Sequence, residues 1–307
     1  MGSLVYQVVC STALLSLGLY HLILTTRNYL KSPHTYSAKL FHPFPIATAN
    51  HRFRHLQLYL IILSLLVAIA HQLILSAESD PLLKGNTPVH RFTSLQSAAL
   101  LFLFLLLTLS LLLSDSAPSL LPLPPDLSFV LASAIFLLHF SFSSAIAAVQ
   151  TSALEAKCDS VSGHVSALAA LLCLLLAVHP RLFAADAALA AAICLRGLWA
   201  LQTGLSLYAD AFIPEGCHRL LDVASGVEGS TKCDVEESMF RAIAIMDLAF
   251  SVHAMFVVLI VLVTYAVVAK SVGVRRLGSY EALPTNSSPA DTNHSHIQMK
   301  ALAGTQA

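Results

Sequence analysis

The chain has 307 residues, of which 56% are hydrophobic and 11% charged, against roughly 25% charged in ordinary soluble domains. Lysine plus arginine and aspartate plus glutamate both total 17, so no net charge recruits a polyanion. A soluble enzyme, a nucleic-acid binder and a disordered tail protein are excluded as readings of the whole chain. What remains is an integral membrane protein.

A helix needs about 20 apolar residues to cross a hydrocarbon layer about 30 Å thick. Seven stretches qualify, at about 5–25, 55–77, 93–113, 127–149, 163–179, 183–209 and 240–268. They are expected to be helices, because a strand isolated in lipid leaves its backbone polar groups unpaired. The expected fold is therefore all-α, a polytopic seven-transmembrane-helix bundle over 1–269. The fifth and sixth stretches meet at His179-Pro180-Arg181, where proline forces a break; merging them would leave six spans.

Residues 1–9 contain no lysine or arginine, and the positive charges follow the first apolar run at Arg27 and Lys31. That order reads as an uncleaved span and not as a signal peptide. Arg27, Lys31, Lys39, Arg52, Arg54, Arg181, Lys270, Arg275, Arg276 and Lys300 fall on one side of the membrane. Lys84, Arg91, Lys157, Arg219, Lys232 and Arg241 fall on the other. The positive-inside rule then places the N-terminus outside and the C-terminus in the cytosol. Cys10, Cys173 and Cys194 lie in spans as apolar packers. Cys217 and Cys233 share an outer loop, where a disulfide can persist.

Helix-ending turns are expected at 78–92 and at 114–126, the latter carrying Pro118, Pro122, Pro124 and Pro125. From 270 the chain turns polar, and a disordered cytosolic tail is expected. Tyr280 and Leu283 fit the loose spacing of a tyrosine-based sorting motif, through which protein partners would bind.

Ionisable groups at membrane depth cost about 2.5–3.5 kcal/mol on insertion scales and default to functional hypotheses. Counting rise per residue from the span ends puts Arg196, Asp247 and His139 at similar heights, about 18–20 Å from the cytosolic face for Arg196 and His139. An Arg196–Asp247 pair is expected, with His139 as a third member and His253 on another face of the last span. Arg196, Trp199, Thr203, Ser206 and Asp210 are spaced 3, 4, 3 and 4, so they share one face that must point into the bundle. Near the borders lie His21, His55, His71, His164 and Gln96, with Glu155 and Asp159 just outside span five. His51 and His55 have i, i+4 spacing, but no flanking acid completes a zincin-like motif. No catalytic residue, metal or cofactor is expected.

The known seven-span classes each lack a part. Span three ends Leu113-Ser114-Asp115, without the acidic–Arg pair of rhodopsin-like receptors. The first lysine near the last span is Lys270, beyond it, so no retinal Schiff base fits. Val257, four residues after His253, stands where the lipid-amide hydrolase and progestin-receptor group has a second histidine.

Four strings follow in order: Gly18-Leu19-Tyr20-His21-Leu22, His51-Arg52-Phe53-Arg54-His55-Leu56-Gln57-Leu58-Tyr59, Gly197-Leu198-Trp199-Ala200-Leu201-Gln202-Thr203-Gly204 and Pro214-Glu215-Gly216-Cys217. On these the chain resembles the plant branch of the transmembrane protein 45 family over about residues 1–270. The resemblance implies a seven-span bundle in Golgi, endosomal or plasma membranes, and roles in stress or pathogen response, with no established catalytic residues. Two features depart from it: Gln96 precedes Ser97 where relatives carry histidine, and span four offers His139 and a serine run at 141–144 where relatives carry glutamate and histidine. The functional expectation is a non-enzymatic trafficking or defence-response scaffold in the lipid bilayer. The alternative is a transporter or channel using the Arg196, Asp247 and His139 interior.

Overall fold

A computed structural model describes residues 2–43, 54–78, 88–150, 152–221 and 228–273. His51, Tyr280 and Leu283 lie outside the described residues. Seven helices are each long and apolar enough to cross a membrane: α1 (Gly2–Lys31), α2 (Leu56–Glu78), α3 (Pro88–Ser116), α4 (Pro125–Val149), α5 (Ala153–Val178), α6 (Phe183–Tyr208) and α7 (Glu236–Val272). A two-stranded antiparallel hairpin, β1 (Cys217–Leu221) with β2 (Glu228–Cys233), stands between α6 and α7.

Helix ends run past the apolar windows wherever charge, and not a breaker, closes the window. The fifth span starts at Ala153 and not near 163, because Glu155, Lys157 and Asp159 lower hydropathy without opposing a helix. Ser152 caps it, its hydroxyl oxygen accepting from Glu155 N–H at 3.4 Å, and donates to the Thr231 carbonyl of β2. The seventh span runs from Glu236 to Val272 for the same reason. It stops at Gly273, whose φ of 68° is a left-handed conformation suited to glycine. Pro180 breaks α5 from α6 as its chemistry requires.

Consecutive helices from α1 to α6 pack side by side, and α6 returns to α1, so the six form a ring; α7 lies outside it, against α1, α5 and α6. The outer surface is apolar. Leu248, Met255, Phe256, Leu259, Leu262 and Val263 of α7 are all more than half exposed, which is stable only if lipid covers them.

At the α1–α6 seam the two backbones come close. A Cβ on Gly197 would stand 2.9 Å from Leu15 Cγ and 3.0 Å from Leu15 N; one on Gly18 would stand 2.5 Å from Cys194 Sγ, and one on Gly204 2.7 Å from Gln7 Cβ. Hydrocarbon offers no hydrophobic drive between helices, so small residues that admit backbone contact supply the association. Trp199, 1% exposed, packs on the far side, where its indole N–H donates to the Cys158 carbonyl at 3.0 Å.

After α1 the chain turns through Pro33–Thr35 and re-enters the bundle. Ala38 is fully buried in one cluster with Phe129, Ala132, Cys173, Leu176 and Leu189, from α4, α5 and α6. Its N–H donates to Pro180 O at 2.7 Å. Segment 36–43 therefore fills the end of the ring opposite the hairpin.

Candidate functional site

Two polar constellations sit inside this frame. The first is at mid-depth. Arg196 of α6 donates through Nη1 to Ser162 O at 2.9 Å and to Ser166 Oγ at 2.5 Å, both on α5. Through Nη2 it reaches His139 Nε2 of α4 at 2.6 Å. A guanidinium has no acceptor to offer, so His139 Nε2 accepts, the ring is neutral, and its proton sits on Nδ1. That N–H faces Ser143 Oγ at 3.2 Å and Ser166 Oγ at 3.1 Å. All hydrogen-bond partners of Arg196 are neutral and among the described residues it makes no ion pair, the Asp159 carboxylate of α5 being an acid near enough to feel its charge without bonding to it.

On the α1 side Tyr6 and Cys10 hydrogen-bond to each other and lie close enough to feel the Arg196 charge. Gln72 of α2 donates to the Tyr6 hydroxyl at 3.4 Å, and the His71 ring stacks on Tyr6 at 4.0 Å. Arg196 keeps some accessible surface, as do His139, Tyr6 and Cys10; Ser166, Cys194 and Trp199 keep almost none.

Asp247 does not join this group, which corrects the expected pair. Equal height along the membrane normal fixes no direction around it. Asp247 sits on α7, outside the ring, with its side chain 56% exposed and its carboxylate 2.6 Å from Lys157 Nζ. His253, on the same helix, bonds through Nδ1 to Ala249 O one turn back. Of the intramembrane polar residues the sequence singles out, Arg196 and His139 meet, while Asp247 and His253 stand apart.

The second constellation closes the plugged end. Asp186, in the first turn of α6, is completely buried. Its Oδ1 lies 2.8 Å from His21 Nε2 of α1, and its Oδ2 accepts from Tyr36 Oη at 2.5 Å and Thr25 Oγ1 at 3.2 Å. Thr25 has one proton and gives it to Asp186, so the His42 Nε2 at 3.3 Å donates to it. His42 Nδ1 then accepts from the Asn28 amide at 3.4 Å. Burial, then the neighbouring His21, pushes the His42 pKa down to about 3, leaving it neutral. Burial, then the Asp186 carboxylate, pushes the Tyr36 phenol up, so it stays a donor. His42 is a loop residue without a local signal, and Asp186 lies only a turn inside its span; an acid in a span is nonetheless the sequence sign of such a site.

Cys217 and Cys233 are disulfide-bonded and are also Cα partners in the hairpin register. Arg54 and His55 at the start of α2 both meet Asp115 at the end of α3, at 3.0 and 3.4 Å.

A comparison with curated proteins finds no match. Residues 125–266, which run from the start of α4 into α7 and contain His139, Asp186 and Arg196, match the model of a family of unknown function, DUF716, the family that includes the transmembrane protein 45 proteins.

Proposed function

We propose that the helix ring holds a small anion in the space beside Arg196 and serves as its passage or receptor in the membrane. The observation that carries this is a mid-depth cation, turned to the interior, whose hydrogen-bond partners are all neutral. An ionised group in low dielectric costs several kcal/mol unless a countercharge joins it, so the site favours a negative guest. Tyr6, Cys10 and Gln72 add polar groups along the same wall. Because segment 36–43 packs between the helices at the other end, the reading has this space open toward the hairpin. We place that hairpin end on the lumenal or extracellular side of a Golgi, endosomal or plasma membrane. The positive-charge count supports this, as does a disulfide in the hairpin. The scaffold reading rests on the resemblance alone.

The test is anion uptake into proteoliposomes, covering chloride, phosphate and small carboxylates. The wild type is expected to move or retain at least one, and Arg196→Gln to cut this at least about tenfold, the scale of one buried charge-assisted contact. Flux indifferent to Arg196→Gln, or none for any anion together with no anion-dependent rise in melting temperature, contradicts the reading.

A further inference from the structure

We propose that His21, His42 and Asp186 bind a divalent transition-metal ion of the Zn2+ type, which pins segment 32–43 to α1 and α6. One ligand atom from each residue lies within 4.8 Å of the others. The three residues are 4%, 3% and 0% exposed, so solvent does not compete for them. They come from three separate segments, so an ion here would cross-link α1, the plug and α6. Two imidazoles and one carboxylate are the donor set of Zn2+ and its neighbours; calcium and magnesium would demand more oxygen.

Bonds of about 2.0–2.1 Å around a tetrahedral ion place ligand atoms about 3.4 Å apart. His21 Nε2 and Asp186 Oδ1, at 2.8 Å, would part slightly to admit the ion, and His42 would close by an ångström or so. The outer partners are already in place. Tyr36 and Thr25 hold Asp186 Oδ2, leaving Oδ1 for the ion. A flip of the Asn28 amide presents its oxygen to His42 Nδ1–H and frees the Nε2 lone pair; such a flip exchanges atoms of nearly equal size. Hydrogen-bonded support of this kind orients metal-binding imidazoles and carboxylates generally.

The experiment uses the full chain, purified in detergent with a tag free of histidine, stripped by chelator and loaded with Co2+. The expected result is one equivalent bound, with visible ligand-field bands of a nitrogen–oxygen site that Zn2+ abolishes, the three side chains leaving one position on the ion for a water carried in with it. His42→Ala changes a loop residue, and Asp186→Asn preserves shape; both are expected to weaken binding at least about tenfold. Zn2+ should raise the melting temperature of the wild type and not of His42→Ala. Failure of the wild type to take up Co2+ saturably overturns the proposal. Uptake with the same stoichiometry and spectrum in His42→Ala also overturns it, because the metal would then sit on other histidines. Neither readout depends on anion flux, so this proposal and the chamber reading fail separately.

Discussion

Gly197→Leu is expected to lower the unfolding free energy by about 3 kcal/mol or more, the upper range for overfilled packing. A Cβ there already stands 3.0 Å from the Leu15 backbone nitrogen, and a backbone atom in a helix cannot swing away as a side-chain tip can. The helices must separate. Their separation also strains the contacts further along the seam, where Gly18 meets Cys194 and His21 meets Asp186. Gly197→Ala should fall in the same direction with a smaller effect. The chain has one tryptophan, Trp199, two residues away and 1% exposed. Its fluorescence during thermal or denaturant unfolding reads the change, and a Gly197→Leu midpoint equal to wild type contradicts the seam.

The second large effect concerns His139. His139→Leu removes the acceptor at 2.6 Å from Arg196 Nη2 and leaves part of a charged group without a partner, a loss of about 2–4 kcal/mol given that charged hydrogen bonds exceed neutral ones. Arg196→Leu deletes the charge itself and exposes only neutral acceptors on Ser162 and Ser166. The double variant His139→Leu with Arg196→Leu should therefore be more stable than His139→Leu alone, with a coupling of about 1–3 kcal/mol. Tryptophan-monitored melting of the four proteins gives the cycle. Strict additivity would mean that the two side chains do not share a bond.

The strings that stand out in the sequence acquire physical content at these positions. Gly197 and Gly204 are seven residues apart, two helical turns, and both face α1; Trp199 between them anchors α5. Gly18 and His21 of the first string face α6 across the same seam. The seven spans were legible because lipid imposes length and hydropathy together. Span depth was legible too, which is how Arg196 and His139 came to the same level. Azimuth was not. Asp247 shares that level, yet α7 packs outside the ring and Lys157 takes its carboxylate. Nor could hydropathy find the plug, because Tyr36, Ala38 and His42 belong to a segment whose burial depends on a cavity formed by helices far away in sequence. The hairpin was hidden for a similar reason: Cys217 and Cys233, sixteen residues apart, are partners across it, and its strands carry no run of alternating residues.

Cys10 offers the most direct measurement of whether the ring encloses wet space at mid-depth. It lies beside Tyr6 and within the influence of Arg196 and is part-exposed, while Cys158, Cys173 and Cys194 are buried. In sealed vesicles a small charged methanethiosulfonate reagent should modify Cys10 well ahead of those three, from one face of the membrane only. A Cys10 as unreactive as Cys173 toward that reagent, in protein that is folded by its tryptophan emission, would mean that the interior beside Arg196 is closed to water and that the chamber does not exist.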